Sequence, residues 1–308
     1  VENNAHAPQP PASLTKIMTG YVAATELASG SISLNDEVHI SIKAWRAEGS
    51  KMFIQEGTIV RLEDILRGII IQSGNDASIA LAEHIAGSED AFADMMNQHA
   101  ELLGLQNSHF LNASGLPDPQ HTMSASDLAI LAQAIIERFP DHYAMYSEEE
   151  FTFNDIRQPN RNTLLFRDRN VDGMKTGFTE DAGYCLVASA TRDGMRLIAV
   201  VMGTDSTDAR AIESQKLLTY GFRFYETYQL FENQEIVSNN QVWSGKTNSV
   251  YIGIEDEVFL TIPRGQGETL ETTLIIDETL KAPIDLGQIL GNITISLGDE
   301  VFYEGPVV

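Results

Sequence analysis

Cysteine occurs once in these 308 residues, at Cys185, so no internal disulfide can form. It lies in the apolar, strand-like run 184–188, where a buried packing role is expected. Basic side chains are also scarce: 20 Lys and Arg stand against 44 Asp and Glu, a formal charge of −24. A phosphate-binding face needs clustered positive charge, so nucleic acid is not an expected partner. The acidity is not a tail, because residues 226–308 carry 14 acidic and 3 basic side chains and the rest of the chain is acidic too. It reads as a solvated surface. No apolar run approaches the roughly 18 residues of a membrane-spanning helix, and the chain as given is expected to be soluble. The seven histidines form no H-E-x-x-H or Cys/His cluster, so neither a metal nor a cofactor is expected.

What is present is a chain long enough for two domains, with 43% hydrophobic residues. Residues 13–29 read as a buried helix, with Pro11 suited to its start and Gly30 to its end. The stretch 61–139 is helix-rich: Leu62, Ile65, Leu66 and Ile69, then Leu128, Leu131, Ile135 and Ile136, recur at helical spacing. Ser126 and Asp127 are candidate caps for the second group. Around 151–224 the pattern turns to strands, with apolar runs 184–190 and 196–202 either side of a Thr-Arg-Asp-Gly hairpin signal. Helical periodicity returns over 208–224. After Tyr225 short β-type runs at 257–262, 272–276 and 292–297 alternate with turn residues. The expected organisation is an α/β catalytic domain over 1–225, an antiparallel sheet with helices, and a small all-β domain over 226–308. The latter is read as a spacer or packing module.

Ser13-Leu14-Thr15-Lys16 places a hydroxyl and an amine three residues apart, on one face of a helix start. A lysine takes a serine's proton only when neutral, which requires burial to lower its pKa from about 10.4. Ser73-Gly74-Asn75 follows about 60 residues on, after the apolar 69–71 run, and Lys175-Thr176-Gly177 about 100 further, before the 184 run. An extended ligand can lie along such a strand, and Gly177 lets its backbone approach closely. Lys175 offers positive charge and Thr176 a hydroxyl to a carboxylate.

The three motifs, in this order and with the surrounding stretches PASLTKIMTGYV, GIIIQSGNDASIALAEHIAGSEDAF, VDGMKTGFTEDAGYCLVASAT and KLLTYGFRFYET, resemble the penicillin-recognising serine acyl-transferases. Among these the chain most resembles the low-molecular-mass penicillin-binding D-alanyl-D-alanine carboxypeptidases, the penicillin-binding protein 5/6 type. The resemblance implies a penicillin-binding-protein/β-lactamase-like fold and an acyl-enzyme on Ser13, with Lys16 as general base. It implies that Ser73 relays a proton to the leaving amine. Asn75 is implied to bond the substrate amide or Lys16, and the N–H groups of Ser13 and Phe178 to form the oxyanion hole. Arg210 is implied to join Lys175 and Thr176 at the terminal carboxylate, and Arg161 to play a supporting role. The implied partners are peptidoglycan pentapeptide stems and, as inhibitors, β-lactam antibiotics.

Family members carry about 30 residues of sheet strands before the nucleophile, where this chain has 12, and a C-terminal helix that anchors them to the inner membrane. Both ends are therefore expected to be trimmed. The implied location is the bacterial periplasm or cell envelope, at the outer face of the inner membrane. A penicillin sensor without turnover, a DD-endopeptidase and a serine β-lactamase are the alternative readings. The last is disfavoured because no E-x-x-L-N segment lies between Ser73 and Lys175.

Overall fold

Ten consecutive residues, 15–24, are buried in helix α1 (Thr15–Ser29), so this helix runs through a core rather than along a surface. In the computed structural model, which describes residues 1–276 and 279–308, a 3₁₀ turn at Ala12–Leu14 precedes α1. Gly30, at φ +77°, ends the helix by returning its N–H to the carbonyls of Glu26 and Leu27. The single helix expected over 13–29 is thus two pieces. Ser13 sits in the tight turn and Lys16 in the first turn of α1.

The chain divides into two compact units, Val1–Arg192 with Arg196–Thr219, and Asp193–Met195 with Tyr220–Val308. In the first unit, helix α2 (Leu62–Arg67) passes into a π-helical turn, Gly68–Gln72, which stops at Ser73 in the left-handed conformation, φ +65°. Helix α3 (Asn75–Ala86) starts at once. Helices α4 (Glu89–Leu102) and α5 (Ala125–Arg138) follow. The cap of α5 is neither Ser126 nor Asp127 but Ser124, whose hydroxyl accepts from the Asp127 N–H at 3.1 Å. Asp127 instead holds the preceding loop, accepting from the Asn107 N–H and the Ser108 hydroxyl.

Strands β1 (Val171–Thr179), β2 (Gly183–Arg192) and β3 (Met195–Thr204) form a sheet in that order, so β1 lies at an edge. β1 and β2 are antiparallel, with Lys175 opposite Val187 and Gly177 opposite Cys185. The turn between β2 and β3 has Asp193 at φ +51° and Gly194 at φ +80°, the geometry that favours a tight hairpin. Helix α6 (Thr207–Phe224) follows. Ile17, Met18 and Val22 of α1, Ile65 and Leu66 of α2, Leu131 and Ile135 of α5, and Met174, Cys185 and Val187 of the sheet share one core. Each fully buried aliphatic side chain of this kind contributes roughly 1.5–3 kcal/mol.

The second unit is built from strands β4 (Tyr225–Phe231), β5 (Ile236–Gln241), β6 (Ser249–Gly253), β7 (Val258–Pro263), β8 (Glu271–Ile276), β9 (Gly291–Leu297) and β10 (Glu300–Val307). They pair antiparallel as β4 with β7, β5 with β6, and β8-β9-β10. β7 shows the period of two plainly, turning Val258, Leu260 and Ile262 inward. These pack with Ile252, Ile293, Ile295 and Val307 in a second, separate core.

Candidate active site

Lys16 is the centre of the site. It is 1% exposed, and its amine lies 3.0 Å from Ser13 Oγ, 2.7 Å from Asn75 Oδ1 and 2.6 Å from the Ser114 carbonyl oxygen. Burial first, and then the charge of Arg161, lower its pKa to about 7 against the opposing charge of Asp76. A neutral amine has two N–H bonds and one lone pair. Here the two carbonyl acceptors, Asn75 and Ser114, can take both N–H bonds, which leaves the lone pair facing the Ser13 hydroxyl. The arrangement can receive a proton from Ser13 at neutral pH.

The acceptors are themselves fixed. Asn75 Nδ2 donates to the Glu48 carbonyl at 2.7 Å and its N–H to Ser50 at 2.7 Å, which ties the Gly49-Ser50 loop to the site. Asp76, fully buried, accepts from the N–H groups of Met52, Phe53, Ile54 and Ala77 at 2.9 to 3.3 Å and thereby holds the next part of that loop. On the other side Asn112 Oδ1 accepts from the N–H groups of Ser114, Gly115 and Leu116, shaping the turn that presents the Ser114 carbonyl. Gly115, at φ +81°, has no room for a side chain, because a Cβ there would overlap the carbonyl of Ala12.

A second group faces the first from β1. Lys175, 2% exposed, donates to Ser73 Oγ at 2.9 Å and to the Thr176 carbonyl at 3.0 Å. Burial, with the charges of Lys16, Arg161 and Arg210, holds its pKa well below the usual lysine value. Thr176 is 5% exposed, and a Cβ at Gly177 would meet the Pro11 carbonyl at 3.0 Å and Leu14. The K-T-G strand therefore lies directly against the turn that carries Ser13.

Residues 1–206 match the D-alanyl-D-alanine carboxypeptidase family, and residues 225–308 the penicillin-binding protein 5 C-terminal domain. The chain belongs to the D-alanyl-D-alanine carboxypeptidase family. It is similar to D-alanyl-D-alanine carboxypeptidase DacC of Escherichia coli, 44% identical over 100% of this chain and 79% of that protein. The structure of penicillin-binding protein 5 from Haemophilus influenzae is 43% identical, with a TM-score of 0.91 over 99% of this chain and 90% of its own. Penicillin-Binding Protein D2 from Listeria monocytogenes in its ampicillin-bound form is 28% identical, with a TM-score of 0.66 over 72% and 91% of the two chains. The chain is thus a serine-type D-alanyl-D-alanine carboxypeptidase, a hydrolase of the low-molecular-mass penicillin-binding type.

In this carboxypeptidase the nine residues singled out from the sequence fall into three sets. Ser13, Lys16 and Asn75 touch directly, and Ser73 touches Lys175, with Thr176 and Gly177 beside it on β1. Phe178 is 45% exposed, its ring tilted against that of Tyr184 with centroids 4.2 Å apart. Arg210 is buried and spends its guanidinium on the main chain, donating to the Gly177 carbonyl at 3.0 Å while lying over the Tyr184 ring. Arg161, by contrast, has no hydrogen-bond or ion-pair partner among the described residues, yet its charge reaches Lys16, Lys175 and Arg210. Sequence reasoning missed Ser114, Asp76 and Asn112. The first acts through a main-chain carbonyl and carries no side-chain signal; the Asn-x-Ser-Gly turn was the only hint.

Among the described residues no group of three or more His, Cys, Asp or Glu is placed to hold a metal ion, and no helix is long and apolar enough to cross a membrane.

Proposed function

We propose that this carboxypeptidase removes the terminal D-alanine of peptidoglycan pentapeptide stems through an acyl-enzyme on Ser13, and that β-lactams acylate the same hydroxyl. The observation that carries the reading is the buried Lys16 amine, its pKa lowered to about 7, 3.0 Å from Ser13 Oγ. Ser13 Oγ attacks the carbonyl carbon of the scissile bond while its proton passes to Lys16 Nζ. The N–H groups of Ser13 and Phe178 receive the oxyanion, where fixed donors lower the barrier by a few kcal/mol, about 2.7–4 per donor. The proton held by Lys16 passes by way of the Ser73 hydroxyl to the departing D-alanine amine, which leaves Lys16 neutral again. Water then attacks the ester with Lys16 again as base.

The substrate's free carboxylate lies beside Lys175, Thr176 and Arg210. Its negative charge offsets the cations that, after burial, hold the pKa of Lys175 down. Asn75 orients the substrate amide as well as Lys16. The ampicillin in the Listeria relative supports the β-lactam reaction. We assign catalysis to residues 1–225 and a spacer or packing role to 226–308, which the two compact units and the two family matches support. The protein works in the bacterial cell envelope, at the outer face of the inner membrane.

Time-resolved labelling with a fluorescent penicillin, beside release of free D-alanine from a pentapeptide, tests the reading. Label on the wild type, D-alanine release, and neither with Ser13→Ala is the expected result. Label on Ser13→Ala overturns the assignment of the nucleophile. Stable label without D-alanine release points to a sensor, and rapid loss of label to a β-lactamase.

A further inference from the structure

His121 is 2% exposed, lies outside every motif, and has both ring nitrogens engaged. Its Nδ1 accepts from the Leu111 N–H at 3.2 Å. An accepting Nδ1 fixes the neutral tautomer with its proton on Nε2, and that N–H donates to Thr15 Oγ1 at 2.8 Å. Burial keeps the ring neutral by lowering its pKa to about 4.

These two bonds join three pieces of chain. Leu111 and His121 are the two stems of the loop that carries the Asn112 turn and the Ser114 carbonyl. Thr15 lies between Ser13 and Lys16. The same Thr15 Oγ1 lies within 2.7 Å of where a side chain on Gly115 would begin, so the loop's tip and stem meet the catalytic helix at one hydroxyl. The tip is also held at Ala113, whose carbonyl accepts from Thr19 Oγ1 at 2.7 Å and whose N–H donates to Glu89 at 3.2 Å. Removing the imidazole therefore loosens the loop against Thr15 without detaching it.

We propose that His121 is a positioning residue for Lys16: acting through Thr15 and Leu111, it closes the 111–121 loop onto the catalytic helix and holds the Ser114 carbonyl against the amine. With that acceptor displaced, the neutral amine is free to rotate and its lone pair leaves Ser13. The inference rests on Lys16 being the base for Ser13. It predicts a loss in the chemical step and not in substrate binding, because Lys175 and Arg210 are held by Ser73, Thr176, Gly177 and Cys185 and not by hydrogen bonds to this loop.

The test resolves fluorescent-penicillin acylation into a pre-acylation dissociation constant and a limiting acylation rate, for wild type, His121→Ala, His121→Gln, Thr15→Val and the double variant His121→Ala/Thr15→Val. His121→Ala is expected to lower the limiting rate by about 10- to 100-fold and leave the dissociation constant within about twofold. His121→Gln, which carries an acceptor and a donor at the end of a similar reach, restores most of the rate. Thr15→Val slows acylation as well, and the double variant is no slower than the worse single, since both cut one connection.

An unchanged limiting rate in folded His121→Ala overturns the inference. So does a Gln variant as slow as the Ala variant with a weakened dissociation constant, the pattern of general structural damage. If His121→Ala does not fold, His121→Gln and Thr15→Val decide: a near-normal rate in the first with a slow second supports it, and equal rates overturn it. Absence of label on the wild type would instead remove the reading of Ser13 and Lys16 on which the inference stands.

Discussion

The two units bury different things. In the first, Lys16, Asp76, His121, Lys175 and Arg210 are all nine-tenths or more withdrawn from water. In the second, every buried side chain among the described residues of 220–308 is apolar. A buried lysine with a pKa near 7, set against 10.5 outside, destabilises the fold on the order of 4 kcal/mol at neutral pH. The sign follows from the lowered pKa: the penalty grows as pH falls from the unfolded value to about 7 and stays below it. Chemistry is thus concentrated where the structure resists it, and the β unit, with alternating inward Val, Leu and Ile, carries no such burden.

The contrast can be broken most severely at Lys16. Lys16→Arg keeps the charge and the bulk but cannot give up its proton, so acylation by a fluorescent penicillin is expected to fall by roughly a hundred- to ten-thousandfold. Normal acylation of this variant would mean that the first unit's buried amine is not the base. Next in size is pH. Since Lys16 must be neutral and its pKa is about 7, the acylation rate is expected to fall about tenfold per unit below pH 7 and level off above it. A profile flat from pH 5 to 8 would contradict the assignment.

A smaller effect is expected at Arg210. Arg210→Ala should slow cleavage of a peptide with a free terminal carboxylate about ten- to a hundredfold, and of its C-terminal amide much less, as read from kcat/KM. Equal losses on both would make Arg210 a support for the Gly177 main chain only. The smallest effect on rate sharpens the comparison from the other side. Ile293→Ala, in the β core, is expected to cost about 2–5 kcal/mol in denaturant unfolding while leaving acylation by the folded protein unchanged.

Much of this was legible. Lys16, Ser73, Asn75 and Lys175 stood out because each belongs to a short motif whose residue types are needed for their chemistry. Helix α6 and strands β7, β8 and β9 followed from local periodicity, which short-range geometry fixes. What escaped has a common physical cause. The Ser114 carbonyl, the four N–H groups around Asp76 and the carbonyl bound by Arg210 are main-chain groups, which every residue owns and no letter of the sequence distinguishes. The cap of α5 was misplaced for a related reason. Ser124, Ser126 and Asp127 are all good caps, and Asp127 is drawn away by Asn107 and Ser108, distant in sequence.

Two backbone positions have a consequence for how such an enzyme drifts under selection. Ala12 and Ser73, neither of them glycine, sit at φ +48° and +65°, next to the nucleophile and at the proposed relay. A left-handed residue with a side chain costs roughly 1–3 kcal/mol. A lineage screened only for heat resistance would find glycine at either place. At Ala12 the exchange removes one buried methyl group and no group the proposed chemistry uses. At Ser73 it deletes the hydroxyl along with the strain. Strain can be relieved at the first position with the reacting groups intact, whereas at the second thermal hardiness and turnover are rivals.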